Sequence, residues 1–149
     1  MILPTRGEPF EIVLGVKSMI IQQLSVFLEN RAGQLSEVTD LLAKNGIDMQ
    51  ALNIAETSDY GVLRLVVDDP ARTGAILKEN GYIVRQTPVV HTPVPNQPGG
   101  LNTVLRTVAK EGIDIEYMYS ILGQRNGLAY MVFRVAEPEK LDAVLSRLG

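Results

Sequence analysis

The chain has 149 residues, 46% of them hydrophobic and 21% charged, with a net charge of -3 at pH 7 and no cysteine. That length holds one ordinary domain or two small ones. The acidic balance offers no electrostatic reason to bind nucleic acid or an anionic membrane. The missing cysteines exclude disulfides, thiolate metal sites and a cysteine nucleophile. No apolar run approaches the ~20 residues that a membrane helix needs, and a reducing, cytoplasmic setting fits.

Residues 1–18 do not read as a secretion signal, because Pro4, Arg6, Glu8, Pro9 and Glu11 interrupt any apolar core. Two readings stay open for this extension: an extra strand over residues 10–16, or an addition foreign to the natural chain. Residues 22–28 alternate, with Leu24, Val26 and Leu28 on one face and Gln23, Ser25 and Phe27 on the other. This predicts a strand buried on one side. Asn30-Arg31-Ala32-Gly33 is a turn, and Leu35, Val38, Leu41 and Leu42 recur at helical spacing. Gly46 is expected to end that helix in a left-handed conformation. Residues 47–56 and 62–67 read as strands joined by a hairpin turn over residues 58–61. Pro70 suits the first turn of a second helix, which Gly81 ends, and residues 82–85 begin a fourth strand. Asp68 and Asp69, just before Pro70, fit helix capping better than paired acid–base chemistry.

The same order then repeats. Residues 89–94 read as a strand, so Gln86-Thr87-Pro88 would serve as the whole linker. Leu101, Val104, Leu105 and Val108 mark a helix, residues 113–122 a strand, residues 123–127 a turn, and residues 129–135 another strand. Leu141, Val144, Leu145 and Leu148 mark the last helix. The repeat is legible residue by residue. Leu28-Glu29-Asn30-Arg31-Ala32-Gly33-Gln34-Leu35 returns as Val94-Pro95-Asn96-Gln97-Pro98-Gly99-Gly100-Leu101, and Gly46-Ile47-Asp48 as Gly112-Ile113-Asp114. A duplicated unit implies pseudo-equivalent modules, and any site on one should recur on the other. Each module follows the order strand, helix, strand, strand, helix, strand. That is an α+β, ferredoxin-like βαββαβ plan, an antiparallel sheet with its helices on one face. The expected organisation is an extension at 1–18, one module at 19–87 and a second at 88–149. The second lacks its final strand, unless another segment supplies it or the natural chain continues.

The informative loops join the first strand of each module to its first helix. A glycine there tolerates positive φ and a close ligand. The amides that open the helix have no internal acceptors, and with the helix dipole they favour a carboxylate or phosphate. Asn30 and Asn96 add side-chain amides that both donate and accept. A turn ahead of a helix explains the same residues more plainly, but its recurrence at equivalent places favours a ligand loop.

These residues resemble the ACT domain, a small regulatory βαββαβ module found with many amino-acid-metabolic enzymes. The family's loop has the form Asn-x-Pro-Gly-x-Leu. Asn96-Gln97-Pro98-Gly99-Gly100-Leu101 matches it throughout, and Asn30-Arg31-Ala32-Gly33-Gln34-Leu35 departs only at Ala32. The resemblance covers residues 20–149. More narrowly, residues 59–64 and 115–120 are similar to stretches of stand-alone tandem ACT proteins. It implies amino-acid sensing at the seam between modules, each loop facing the second strand of its partner. One site would use Asn30, Arg31, Ala32, Gly33, Gln34 and Leu35 against Tyr117, Tyr119 and Ser120. The other would use Asn96, Gln97, Pro98, Gly99, Gly100 and Leu101 against Gln50, Leu52 and Asn53. Ala32 makes the first loop less rigid, and the contrast between the two second strands argues that the sites differ.

Other residues have plainer roles. Tyr117 and Tyr119 alternate on a strand and point the same way, as walls for a ligand side chain or as packing against a partner subunit. His91, the only histidine, has no metal-ligand companions and reads as a surface or interface residue. Met49, Met118 and Met131 are core filler. Glu56 is an exposed strand end, and Glu116 is solvated or near a helix. No nucleophile–base set, phosphate loop or metal cluster emerges, so the chain is not expected to be an enzyme or to need a cofactor. RNA binding would need strand aromatics and a basic face, which the composition does not provide. The expected function is therefore a regulatory amino-acid-binding protein that senses a small amino acid or related carboxylate. It would act allosterically on a partner enzyme of amino-acid metabolism and would work as a homodimer. The alternative is an assembly module whose ligand site has decayed.

Overall fold

The computed structural model describes residues 18–56, 59–121 and 127–148. In chain order the elements are β1 (Met19–Glu29), α1 (Gln34–Lys44), β2 (Met49–Glu56), β3 (Tyr60–Val67), α2 (Pro70–Glu79) and β4 (Ile83–Pro95). Then follow α3 (Gly100–Lys110), β5 (Tyr117–Ser120), β6 (Leu128–Arg134) and α4 (Pro138–Ser146). The strand expected over residues 10–16, most of the second hairpin turn, and Ser58 of the first lie outside the described residues.

Local chemistry sets the helix ends. Asp69 caps α2 by accepting from the Arg72 amide at 3.1 Å, and Pro70, which has no amide hydrogen to satisfy, follows at the first helical position. At the far end of α1, Gly46 takes φ 67°. Its amide donates to the Ala43 carbonyl at 3.1 Å, and the Ile47 amide donates to the Leu42 carbonyl at 3.0 Å. This closing motif needs a residue at positive φ, and it places Ile47 beside Leu42 in the core. Gly112 and Ile113 repeat it at the end of α3.

The chain divides into two units, one of which runs from Gln22 to Thr87. In it the strand order is β2-β3-β1-β4, and β3 is antiparallel to both neighbours. Leu24 stands opposite Leu65 and Val26 opposite Leu63. These four side chains are buried with Val38 and Leu42 of α1, Leu77 of α2 and Val84 of β4. Burying an aliphatic side chain of this size is worth about 1.5–3 kcal/mol, so α1 and α2 are held to one face of the sheet by these contacts rather than by helix propensity.

The other unit joins the described residues before Gln22 to those from Pro88 onward. Its strand order is β1-β4-β6-β5, with β6 antiparallel to β4 and to β5. Val90 stands opposite Phe133, which also faces Met118. Val104 and Val108 of α3 and Leu141 and Leu145 of α4 complete the core. Ile20 packs against it from the start of β1. The Ser18 hydroxyl shares a hydrogen bond with that of Thr92. In this unit the beginning of β1 therefore stands where β4 stands in the other. Both units have the ferredoxin-like plan, α+β with helices on one face.

Several expectations change. Gln86, Thr87 and Pro88 are not a linker but lie within the continuous strand β4. Thr87 shares a hydroxyl–hydroxyl hydrogen bond of 3.1 Å with Ser25, and the Pro88 carbonyl accepts from Arg134 at 2.8 Å. Extended backbone suits the residue before a proline, so these positions continue the strand. Residues 113–116 are not strand, and β5 is only Tyr117–Ser120. Its partner β6 ends at Arg134, opposite Tyr117, so the alternating Ile113 and Ile115 have no facing strand residues. Gln23 and Ser25, expected on the open face of β1, are 0% and 8% exposed, and Gln23 donates to the Ser25 hydroxyl at 3.1 Å. Buried polar groups need such partners. His91 is not at the surface either: it is 1% exposed, and its ring stacks on Tyr130 with centroids 5.5 Å apart.

Candidate functional site

Each unit carries one loop of the repeated kind, built in the same way. Gly33 has φ 85° and ψ -10°, and Gly99 has φ 85° and ψ -9°. Each stands as the N-cap of its helix with no capping side chain. A side chain added at either would meet nothing within 4 Å, so backbone conformation rather than crowding requires glycine here. The Glu37 amide donates to the Gly33 carbonyl and the Thr103 amide to the Gly99 carbonyl, both at 3.0 Å. The amides ahead of these, in the first turn of each helix, have no intrahelical acceptor.

Each loop lies beside the glycine that precedes or opens the third strand of its module. Asn30 Oδ1 lies 3.6 Å from where a Cβ on Gly61 would stand, at the start of β3. The Asn96 amide donates to the Gly127 carbonyl at 2.9 Å, at the matching place before β6. Gly100 has a separate reason to be glycine, since a Cβ there would collide with the backbone carbonyl of Pro95. Gln34 occupies the equivalent position in the first loop and is buried.

The side chains around the loops have diverged. Arg31 grips both carboxylate oxygens of Glu37, at 3.1 and 2.8 Å, and its Nε reaches Glu29 at 3.3 Å. Gln34 adds a donor to Glu37 at 3.2 Å. Hydrogen bonding and charge from Arg31 hold the Glu37 carboxyl below the ordinary carboxylate range, and Glu37 raises Arg31 in turn. In the second loop Gln97 stands for Arg31 and Thr103 for Glu37. The Thr103 hydroxyl donates to the Gly99 carbonyl at 3.0 Å.

Cavities border both loops. One of about 690 Å³ lies against Arg31, Gln34 and Glu37 and is walled by Phe27, Tyr60, Tyr82 and Arg85. A second of about 400 Å³, which also touches Arg31, is bounded by Asn30, Ala32, Leu35, Ile54 and Glu56. In the other unit, a cavity of about 630 Å³ lies against Gln97, Pro98, Gly99, Gly100 and Thr103 and is walled by Val104, Leu128, Leu145 and Leu148. These volumes suit small ligands.

The strand residues nominated from sequence fall on two different faces. Leu52 stands opposite Leu65, on the helix-bearing face, whereas Asn53 stands opposite Arg64 and accepts from it at 2.9 Å. Ser120 shares its face with Met118, a core contact, whereas Tyr117 and Tyr119 lie on the opposite face with ring centroids 6.4 Å apart. Gln50 adjoins the irregularity between Met49 and Ala51. Sequence reasoning missed Glu37, Thr103, Tyr82 and Leu148 as loop neighbours. The first two sit one helical turn beyond the glycine, a spacing that could have revealed them. Among the described residues, no group of three or more His, Cys, Asp or Glu side chains could hold a metal ion, and no helix is long and apolar enough to cross a membrane.

A family model described as an ACT domain pair matches residues 19–147. A protein of Bacteroides thetaiotaomicron with a known crystal structure is 44% identical; the alignment covers 88% of this chain and 90% of that one, with a TM-score of 0.81. The ligand-free regulatory subunit of aspartate kinase from Thermus thermophilus is 15% identical over 90% of this chain and 94% of its own, with a TM-score of 0.59. The regulatory subunit of aspartate kinase from Thermus flavus is 17% identical over 88% of this chain and 93% of its own, with a TM-score of 0.55. These two likenesses are of fold. No curated protein matches significantly.

Proposed function

The chain belongs to the family of ACT domain pairs, and on that premise we propose that it binds a small amino acid or related carboxylate and regulates a partner in trans. One observation carries this reading: a glycine at φ 85° opens the first helix of both units; the first helical amide after it bonds the carbonyl of Arg31 or Gln97, and the next two have no intrahelical acceptor. Asn30 to Leu35 and Asn96 to Leu101 are the carboxylate-receiving loops. Gln50, Leu52 and Asn53, and Tyr117, Tyr119 and Ser120, are proposed as recognition residues for the rest of the ligand. The partner is a catalytic protein of amino-acid metabolism, in line with the fold shared with regulatory subunits of aspartate kinase. Binding would shift a population already accessible.

The test is a thermal-shift series with the standard amino acids, followed by calorimetry. A ligand that binds only the folded chain raises its melting temperature by mass action. No shift and no heat with any amino acid would defeat the proposal.

A second reading, as an assembly module, is favoured by the edge strand β2. Leu52 and Ile54 on it are 38% and 46% exposed, and an apolar edge invites pairing. On this reading the chain is a homodimer whose association does not depend on ligand.

A further inference from the structure

We infer that the unit from Gln22 to Thr87 carries a further binding site, on the sheet face turned away from its helices. Its ligand is a planar aromatic group with one negative charge, an aryl or heteroaryl carboxylate. Phe27 and Tyr60 stack the ring, and Arg85 receives the charge. The site uses none of the helix-opening amides, so it does not depend on the amino-acid-binding reading.

Strand alternation brings these side chains together. Val26 and Leu28 of β1 point into the helix-side core, so Phe27 and Glu29 point the other way. Glu29 stands opposite Tyr60 of β3. Val84 of β4 lies in the same core, so Ile83 and Arg85 on either side of it share the face of Phe27. The rings of Phe27 and Tyr60 lie 5.9 Å apart at 49°, and the Arg85 guanidinium is 6.0 Å from the centroid of Phe27. All border the cavity of about 690 Å³. The chain has only three phenylalanines, five tyrosines and no tryptophan, yet Phe27, Tyr60 and Tyr82 line this one cavity. The cavity beside the second loop has no aromatic residue in its lining, and Pro93 takes the place of Phe27 in the repeat. The duplicated plan therefore does not supply this feature.

Two observations point to a ligand. Tyr60 and Ile83 are 43% and 68% exposed, so the ring pair and its aliphatic neighbour have an uncovered side. Arg31, the other cation of the cavity, is neutralised by Glu37 at 2.8 Å and Glu29 at 3.3 Å. Arg85, by contrast, has no ion-pair or hydrogen-bond partner among the described residues. A guanidinium stacked on a ring keeps its N–H groups at its edge, where a carboxylate meets them in plane. An aromatic ring attached to that carboxylate then reaches Phe27 and Tyr60, in offset or tilted contact. Only one cation is available, and Asp59 and Glu29 border the same cavity. A second negative charge on the ligand would be repelled by them, which excludes a polyphosphate.

The absence of tryptophan makes indole fluorescence, excited beyond the tyrosine absorption band, a report on the ligand alone. The test is the fluorescence anisotropy of indole-3-acetate titrated with the full chain at low salt, with tryptamine as the cationic control. The expected result is a saturable rise for indole-3-acetate and a much weaker one for tryptamine. Arg85→Gln should weaken binding about fivefold, the upper range for an exposed ion pair. Tyr60→Leu, which keeps an apolar side chain but removes the ring, should weaken it about threefold or more. Arg85 is exposed and unpartnered among the described residues, so its variant keeps the fold. No saturable rise would overturn the inference, and equal or tighter binding of tryptamine would overturn the charge assignment. Unchanged affinity in Arg85→Gln would place the acid elsewhere and overturn the site, leaving the sensing reading intact. Failure of the amino-acid series would in turn leave this site standing.

Discussion

Gly33 and Gly99 share one backbone conformation, φ 85° with ψ -10° and -9°, at the mouths of α1 and α3. An L side chain in the left-handed region costs about 1–2 kcal/mol. Open space surrounds both positions, so this backbone cost stands alone. Gly33→Ala and Gly99→Ala should each lower the melting temperature by about 2–8 °C, at ~2–4 °C per kcal/mol for a chain of this size. A thermal shift raised by an amino acid should weaken in either variant, since each loop is proposed to receive a carboxylate.

Gly100→Ala should be worse than either. Its Cβ runs into the Pro95 carbonyl, a backbone atom that a rotamer change cannot move aside. Overpacking of this kind costs about 1–3 kcal/mol, in addition to displacing the loop that ends at α3. Urea unfolding monitored by circular dichroism should show a lower midpoint at an unchanged slope.

Asp142, on α4, has a carboxyl whose Oδ1 is buried with no hydrogen-bond partner among the described residues, and burial raises its pKa. A raised value means that the folded chain holds the proton more tightly than the unfolded one. Ionisation of Asp142 therefore costs stability at neutral pH, and the cost disappears as pH falls through the raised value to below 3.8, the ordinary one. Asp142→Ala removes the buried charge and places a better helix former on α4. The variant should melt about 1–2 °C higher at pH 7, on a helix-propensity gain of ~0.5 kcal/mol. The gap should narrow in acid.

Glu37 has the opposite sign. Arg31 depresses its carboxyl, so the contribution of the pair is fully present above 4.5, the ordinary value, and is lost as pH falls through the depressed one. Both partners are exposed to solvent, where ion pairs contribute little to folding. Glu37→Gln should therefore leave the neutral-pH melting temperature within experimental scatter of the parent. A large loss would mean that the Arg31–Glu37 pair supports the fold more than an exposed ion pair should.

Leu52 and Ile54 lie on the exposed edge strand β2. If that edge joins two copies, Ile54→Lys should convert a dimer to a monomer in light scattering behind size exclusion, since charge on an edge strand blocks pairing.

Much of this was legible before any coordinates. Positive φ at Gly33, Gly46, Gly99 and Gly112, the Asp69 cap, Pro70 opening a helix and the apolar stripes of α1 and α3 all follow from chemistry within a few residues. The repeat itself carried the βαββαβ order. Loop neighbours were harder to read. Glu37 and Thr103 are close in sequence to their glycines, yet whether either side chain turns toward the loop depends on what stands opposite, Arg31 in one case and Gln97 in the other.

By itself, then, the sequence determined the local backbone and the order of elements, because glycine, proline and hydrophobic period act on dihedral angles and on faces. Tertiary structure decided that residues 86–88 continue a strand, that Gln23, Ser25 and His91 are buried, and that Tyr117 and Ser120 part company across β5. Those outcomes depend on which distant backbone supplies the partner. A period of two states that a residue faces one side of a sheet, but not which neighbour covers that side.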